Sequence, residues 1–325
     1  MRCSVVSGDV FARHDMERHA ESSTRLRTIT SSLPGGLRWR DPARASVEDL
    51  ERVHRPQHVR WIREFASGTW YLDANTYITG NSFEVASYAA GSSCLAAERA
   101  LDAEHSFALV RPPGHHAEPD RAMGFCIFNN AAVAAAKLLA SVDRVAILDW
   151  DLHHGNGTQS IFYNSDRVLY CSVHEADSFP KTGWIDEIGT GAGRGYTLNA
   201  PLRPGSHLAD YLLVFREVFI PAITRFKPDL LIVSAGQDAL IDDGHGRMLL
   251  APIDYQVLAG LLADSVDTAL ALVLEGGYGP SQGEAVADII RALQGHRIDP
   301  ADCCTAEAQR STGEIVRILK KVRFY

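Results

Sequence analysis

Apolar runs of β character fall around residues 107–110, 145–148, 168–173, 230–234 and 271–275, and alanine-rich stretches such as 84–101 and 130–141, suited to helices, lie between them. Short unbroken apolar runs are the signature of strands buried on both faces, as in a parallel sheet. The alternation predicts an α/β fold, an open parallel sheet sandwiched by helices. With 325 residues and 46% hydrophobic content the chain has enough apolar material for one large core. No linker-like shift in composition interrupts it, so residues 1–325 are expected to form a single domain.

Polar residues cluster just after the apolar runs. Segment 147–159, ILDWDLHHGNGTQ, carries a strand directly into two aspartates and two adjacent histidines. Asp149, Asp151 and His153 stand at i, i+2 and i+4, so on a strand all three would point to one face. Polarity of this density beside apolar backbone calls for a compensating partner, and carboxylate and imidazole donors suit zinc. Segment 229–240, DLLIVSAGQDAL, adds a second carboxylate, Asp238, after another apolar run. Iron(II), cobalt and manganese accept the same donors, so the residues call for a metal without choosing it.

Two more clusters complete the chemistry. In VRPPGHHAE, 110–118, prolines stiffen a loop before His115 and His116. Neutral histidines close to a metal-activated water are suited to take its proton and return one to a leaving amine. In LVLEGGYG, 272–279, a strand ends in two glycines and Tyr278, whose hydroxyl has the character of a donor to a developing oxyanion.

Taken in order, RPPGHHA at 111–117, GFCIFNNAAVAA at 124–135, DWDLHHGNGTQ at 149–159, SAGQDA at 234–239 and LEGGY at 274–278 resemble the motifs of the zinc-dependent histone deacetylase superfamily. The likeness is to its bacterial amidohydrolase branch and to acetylpolyamine and acetoin-utilisation relatives, and five ordered motifs are far more specific than one. The resemblance implies the arginase-deacetylase fold and one Zn2+ per chain, held by Asp151, His153 and Asp238. It implies that His115 and His116 form the acid–base pair, with Asp149 orienting His115 and Asn156 beside His116, and that Tyr278 stabilises the oxyanion. Gly124 would offer its carbonyl to the substrate amide, and Phe125 with Phe179 would line a narrow tunnel. A structural K+ near Asp149, Asp151, His153 and Ser172 is implied as well, with His174 in support. The implied activity is hydrolysis of an N-acylated amine: acetyl-lysine, an acetylpolyamine or a small acylated metabolite. Which histidine protonates the leaving amine stays open, as does the oligomeric state.

Departures from the family pattern bear on specificity. Residues 19–26, HAESSTRL, keep His19, Glu21 and Arg25 of an HPExPxRL pattern but lose both prolines, and Arg25 is expected near the base of the pocket. Asn75 stands where many relatives place a substrate-gripping aspartate, which removes a charge from the rim. Gln237 and the DDGHG stretch at 242–246 are expected to add polar groups there, with His245 the most prominent.

Cys3, Cys94, Cys126, Cys171, Cys303 and Cys304 form no CxxC pair and are expected to be free thiols of a reducing compartment. No apolar leader core precedes the first apolar run and no stretch reaches membrane-span length, so a cytoplasmic enzyme without membrane attachment is expected. A net charge of −8 gives no attraction to nucleic acid. The basic stretch VRILKKVRFY at 316–325 is expected to be a helix with a solvated face. A non-catalytic acyl-amine binder and an arginase-type ureohydrolase are the competing classes. The first would have no use for the histidine pair and Tyr278, and the second needs more ligating aspartates.

Overall fold

The computed structural model describes residues 3–65, 68–304 and 306–322. Its strands are β1 (Cys3–Val6), β2 (Arg38–Arg40), β3 (Thr69–Tyr71), β4 (Tyr77–Thr79), β5 (His105–Ala108), β6 (Val145–Asp149), β7 (Val168–Glu175), β8 (Thr197–Leu202), β9 (Leu230–Ala235) and β10 (Leu270–Leu274). Eight of them form one parallel sheet in the order β2-β1-β5-β10-β9-β6-β7-β8, and β3 and β4 make a separate antiparallel hairpin. The five apolar runs became β5, β6, β7, β9 and β10, every residue of which is buried. This is the sheet of a helix-flanked α/β fold, as the alternation of runs predicts.

Helix Ser82–Leu101 lies against β5 and β10 and packs on Asn130–Leu138, while Pro252–Ser265 and Gln282–Leu293 pack on each other. Small side chains permit the first of these close approaches: Ala86, Ala89, Ala90, Ala96 and Ala97 are all buried. A single hydrophobic cluster runs from Cys3 to Leu319. Helix Arg310–Leu319 buries Thr312, Val316 and Leu319 and leaves Arg317 exposed. Of the basic stretch only residues 316–319 are helical; Lys320 and Lys321 are exposed in the turn that follows, so the expected helix stops short of them, and residues 323–325 lie outside the described residues. Among the described residues no helix is long and apolar enough to cross a membrane.

Sheet order explains where the polar segments meet. The chain leaves β5 through Asn130–Leu138 and enters β6, two strands beyond its neighbour; β9 and β10 fill the gap later. Loops following β5, β6, β9 and β10 therefore converge at one carboxyl edge, the usual ligand crevice of such sheets. One sequence expectation needs correction here. Strand β6 ends at Asp149, so Asp151 and His153 lie beyond it in a turn. Strand alternation does not aim these side chains; the hydrogen bonds of that turn do.

Candidate active site

Asp151, His153 and Asp238 each present a donor atom, and these atoms all lie within 4.8 Å of one another. His153 Nδ1 is 2.8 Å from Asp238 Oδ2 and 3.3 Å from Asp151 Oδ1. Backbone N–H groups fix the carboxylates: Gly276 donates to Asp151 Oδ2 (2.7 Å), His153 to Asp151 Oδ1 (2.9 Å) and Leu152 to Asp238 Oδ1 (2.8 Å). Burial and the Asp151 charge push the Asp238 carboxyl up to about 6. Two buried carboxylates aimed at one point with an imidazole make a donor set that fits zinc. Gly276 is obligatory here, because a Cβ at this position would lie 2.6 Å from Asp238 Oδ2 and 2.7 Å from Asp151 Oδ2.

The histidine pair sits beside this cluster with ring centroids 4.0 Å apart. His115 donates through Nδ1 to Asp149 Oδ2 (3.0 Å), leaving Nε2 3.6 Å from Asp151. His116 donates through Nδ1 to the neutral Asn156 Oδ1 at 2.8 Å. The partners set the difference in basicity. Burial opposes charging of both rings, but Asp151 and Asp149 overcome it and hold His115 well above its usual range. Burial, aided by His115 and His153, leaves His116 well below it.

The loop carrying the pair is clamped from three sides. Asn129 caps helix Asn130–Leu138 by accepting from Ala132 N (3.0 Å) and donates to the Ala117 carbonyl at 3.3 Å. Gly157 and Thr158, in the first turn of helix Asn156–Phe162, donate their N–H groups to the His115 carbonyl. Glu275 Oε2 accepts from Gly114 N (2.7 Å) and His115 N (3.1 Å), and burial pushes its carboxyl up to about 7. Arg111 forms a buried bidentate pair with Glu21 at 2.6 and 2.9 Å. His19 Nε2 contacts the Asn75 carbonyl at 2.9 Å. These bonds stiffen the segment whose family prolines are missing.

Tyr278 is oriented by its own neighbours. Asp243 Oδ2 accepts from Tyr278 N (2.6 Å) and Gly279 N (2.9 Å), and the Arg25 guanidinium lies 4.7 Å over the Tyr278 ring. Arg25 Nε also donates to the Gly277 carbonyl at 2.7 Å, so this buried side chain braces the segment that carries Tyr278. Burial holds the phenol well above its usual range, so it remains a proton donor.

These groups face a cavity of about 370 Å³ lined also by Gly124, Phe125, Phe179 and Asn75. Gly124 and Phe125 take consecutive left-handed conformations, φ 56 and φ 69. A Cβ on residue 124 would meet His116 Cδ2 at 2.5 Å, so glycine is needed both for its φ and for the ring beside it. Phe179 lies with its ring 5.0 Å from that of His116. Cys126 is buried behind this wall, its Sγ 3.3 Å from the Gly124 carbonyl.

Residues 19–293 match the model for the histone deacetylase domain. The chain belongs to the histone deacetylase family. It is a deacetylase-type amidohydrolase of that family. A "Probable deacetylase" of Methanothermobacter thermautotrophicus is 40% identical over 91% of this chain and 92% of its own length. A "Histone deacetylase-like amidohydrolase" of Pseudomonas aeruginosa is 38% identical over 87% of this chain and 79% of its own. Among solved structures, the crystal structure of the HDA15 HD domain superposes with a TM-score of 0.92 at 33% identity, covering 99% of this chain and 94% of that one.

Within the histone deacetylase frame, two expectations change. Gln237 is fully buried and bonded to Gln282 at 3.1 Å, so it belongs beneath the site and adds nothing to the rim. The potassium expectation gains no support: Ser172 Oγ is 2.9 Å from His174 Nδ1, and Asp149 is taken up by His115, Asp151 N and Tyr170. Residues that sequence reasoning passed over are Asp73, Glu118, Asp243 and Glu275. Asp73 accepts from Gly124 N (3.1 Å), and Glu118 accepts from Asn156 Nδ2 (2.8 Å). For Glu275 the LEGGY motif itself was the available signal.

Proposed function

We propose that the protein is a zinc-dependent deacetylase that hydrolyses the amide of an N-acylated amine, releasing a short carboxylic acid and the free amine, with residues 1–325 acting as one catalytic unit. The observation that carries the reading is the histidine pair, each Nδ1 committed to a partner, set beside a three-donor cluster at the floor of an apolar-walled cavity. Asp151, His153 and Asp238 would hold the ion. When bound, zinc supplies Lewis-acid polarisation of the acyl carbonyl and acidification of a water.

The chain's own residues do the rest. His116, kept neutral by burial and by an uncharged partner, accepts a proton from the attacking water at Nε2. Oxygen bonds to the acyl carbon, the C–N bond breaks, and the leaving nitrogen receives a proton from the same histidine pair. Asp149 keeps His115 in one tautomer and orientation. Tyr278 donates its hydroxyl to the oxyanion. Phe125 and Phe179 exclude water along the acyl-amine chain, and the Gly124 carbonyl accepts from the substrate N–H. In a binding protein the acid–base pair and Tyr278 would be idle.

The test is amine release by zinc-loaded protein across acetyl-lysine peptide, acetylated polyamines and longer acyl-lysines, with and without chelator. Release that chelator abolishes and zinc restores is expected. Absence of release from every member, with one metal bound per chain, would overturn the reading.

A further inference from the structure

A substrate whose acyl end reaches the floor leaves its other end at the cavity mouth, so the groups unspent at the mouth decide what that end carries. Asp73 lines the cavity and Asp243 is buried beside it, and both are already hydrogen-bonded to N–H donors. Asp73 accepts from Asn75 N (2.8 Å), Thr76 N (2.6 Å) and Gly124 N (3.1 Å). Asp243 accepts from His245 through both its N–H and its Nδ1 (2.9 Å each), and from Tyr278 N and Gly279 N. The opposite holds for the donors. Arg121 lines the cavity and is exposed, and among the described residues its guanidinium has neither an ion pair nor a hydrogen bond. His245 lines the same cavity, is pinned at Nδ1 by Asp243 with its ring 4.8 Å from Tyr278, and among the described residues its Nε2 has no hydrogen-bond partner. The bond to Asp243 also raises its basicity, which favours a second ring proton at Nε2. Asn75, also at the mouth, supplies an uncharged amide.

We propose that Arg121 and His245 form a specificity subsite that reads an anionic acceptor, so that the preferred substrate is an N-acylated amine bearing a carboxylate at its far end, not the ammonium of an acylated polyamine. This rests on the deacetylase reading above. A guanidinium and an imidazolium attract a carboxylate through charge-assisted bonds and repel an ammonium, and the floor chemistry is the same for both.

Three substrates of matched length separate the possibilities: side-chain-acetylated lysine with a capped α-amine and a free carboxylate, its primary carboxamide, and the acetylated five-carbon diamine. For zinc-loaded wild-type protein, kcat/KM for the carboxylate is expected to exceed that for the carboxamide by at least ~10-fold, the scale of one charge-assisted bond, with the diamine poorest. The carboxylate-to-carboxamide ratio should fall toward unity in Arg121→Gln, fall part of the way in His245→Leu, and shrink as ionic strength rises. Equal rates for carboxylate and carboxamide in the wild-type protein, or a preference for the diamine, would overturn the subsite while leaving amide hydrolysis intact. Failure to release acetate from all three would overturn the hydrolysis reading and the subsite with it.

Discussion

His54 ties the stability of the fold to pH through the active-site loop. It is buried, with Nδ1 3.0 Å from the Glu118 carbonyl and Nε2 accepting from Asn129 N at 2.8 Å. Both nitrogens are spent on a neutral ring, donor at Nδ1 and acceptor at Nε2; a second proton would set N–H against N–H. Burial, with His58 adding to it, lowers its pKa from 6.5 to about 3. Because the folded value lies below the unfolded one, the unfolded chain binds a proton that the folded chain refuses. The contribution is complete above the unfolded pKa and is lost as pH falls toward the folded one. At pH ~5, about 1.5 units below the unfolded value, the loss is ~2 kcal/mol at ~1.36 kcal/mol per unit. That is a substantial fraction of a typical stability of ~5–15 kcal/mol. Urea unfolding at pH ~7.5 and ~5, at fixed ionic strength, measures it in wild type and in His54→Gln. The variant should be less stable at the higher pH yet lose ~2 kcal/mol less between the two. Other buried histidines contribute equally to both proteins and cancel in the difference. An identical pH-dependent loss in the two proteins would refute the linkage.

Other expectations follow from the site. Tyr278→Phe should lower kcat by ~10²–10³ with metal content unchanged, read by steady-state kinetics and elemental analysis; normal turnover would remove the oxyanion role. Gly276→Ala forces the Asp151 and Asp238 carboxylates apart where ligand positions tolerate only ~0.2 Å, so metal per chain should drop while circular dichroism stays native; a full complement of metal would contradict the packing argument. Glu21→Gln leaves the buried Arg111 charge with only the half-exposed Asp15, 3.9 Å away, and should cost ~3–5 kcal/mol in urea unfolding, and a cost below ~1 kcal/mol would show that the pair matters little.

The strands that could be read in the sequence are those buried on both faces. Residues 230–234 and 271–275 are unbroken apolar because no side of β9 or β10 meets water. By contrast β2, the exposed edge strand Arg38–Arg40, has the sequence RWR, and nothing in it distinguishes a strand from a loop. A similar divide runs through the site. Asp151, His153 and Asp238 were legible because a metal site, such as the one proposed, draws its side-chain donors from few residue types. The roles of Asp73 and Asp243 were not, since each accepts backbone N–H groups, and any carboxylate delivered there by the fold would do the same; Glu275 acts likewise and was marked only by its LEGGY motif. Gln237 was misread for the converse reason: its neighbour Asp238 faces the cavity, while its own side chain turns toward Gln282.

The floor of the site draws on segments far apart in the chain, with the loop at Gly114 bonded to Glu275 across a separation of 161 residues and Asp151 held by Gly276 across 125. Contacts of such separation form late in folding. During synthesis Asp151 and His153 leave the ribosome long before Asp238, and the N–H that steadies Asp151 follows later still. A nascent chain halted before β10 would therefore carry Asp151, His153 and Asp238 without the Gly276 N–H that holds Asp151 Oδ2. The proposed ion would then find its complete site only after the last central strand has been inserted between β5 and β9.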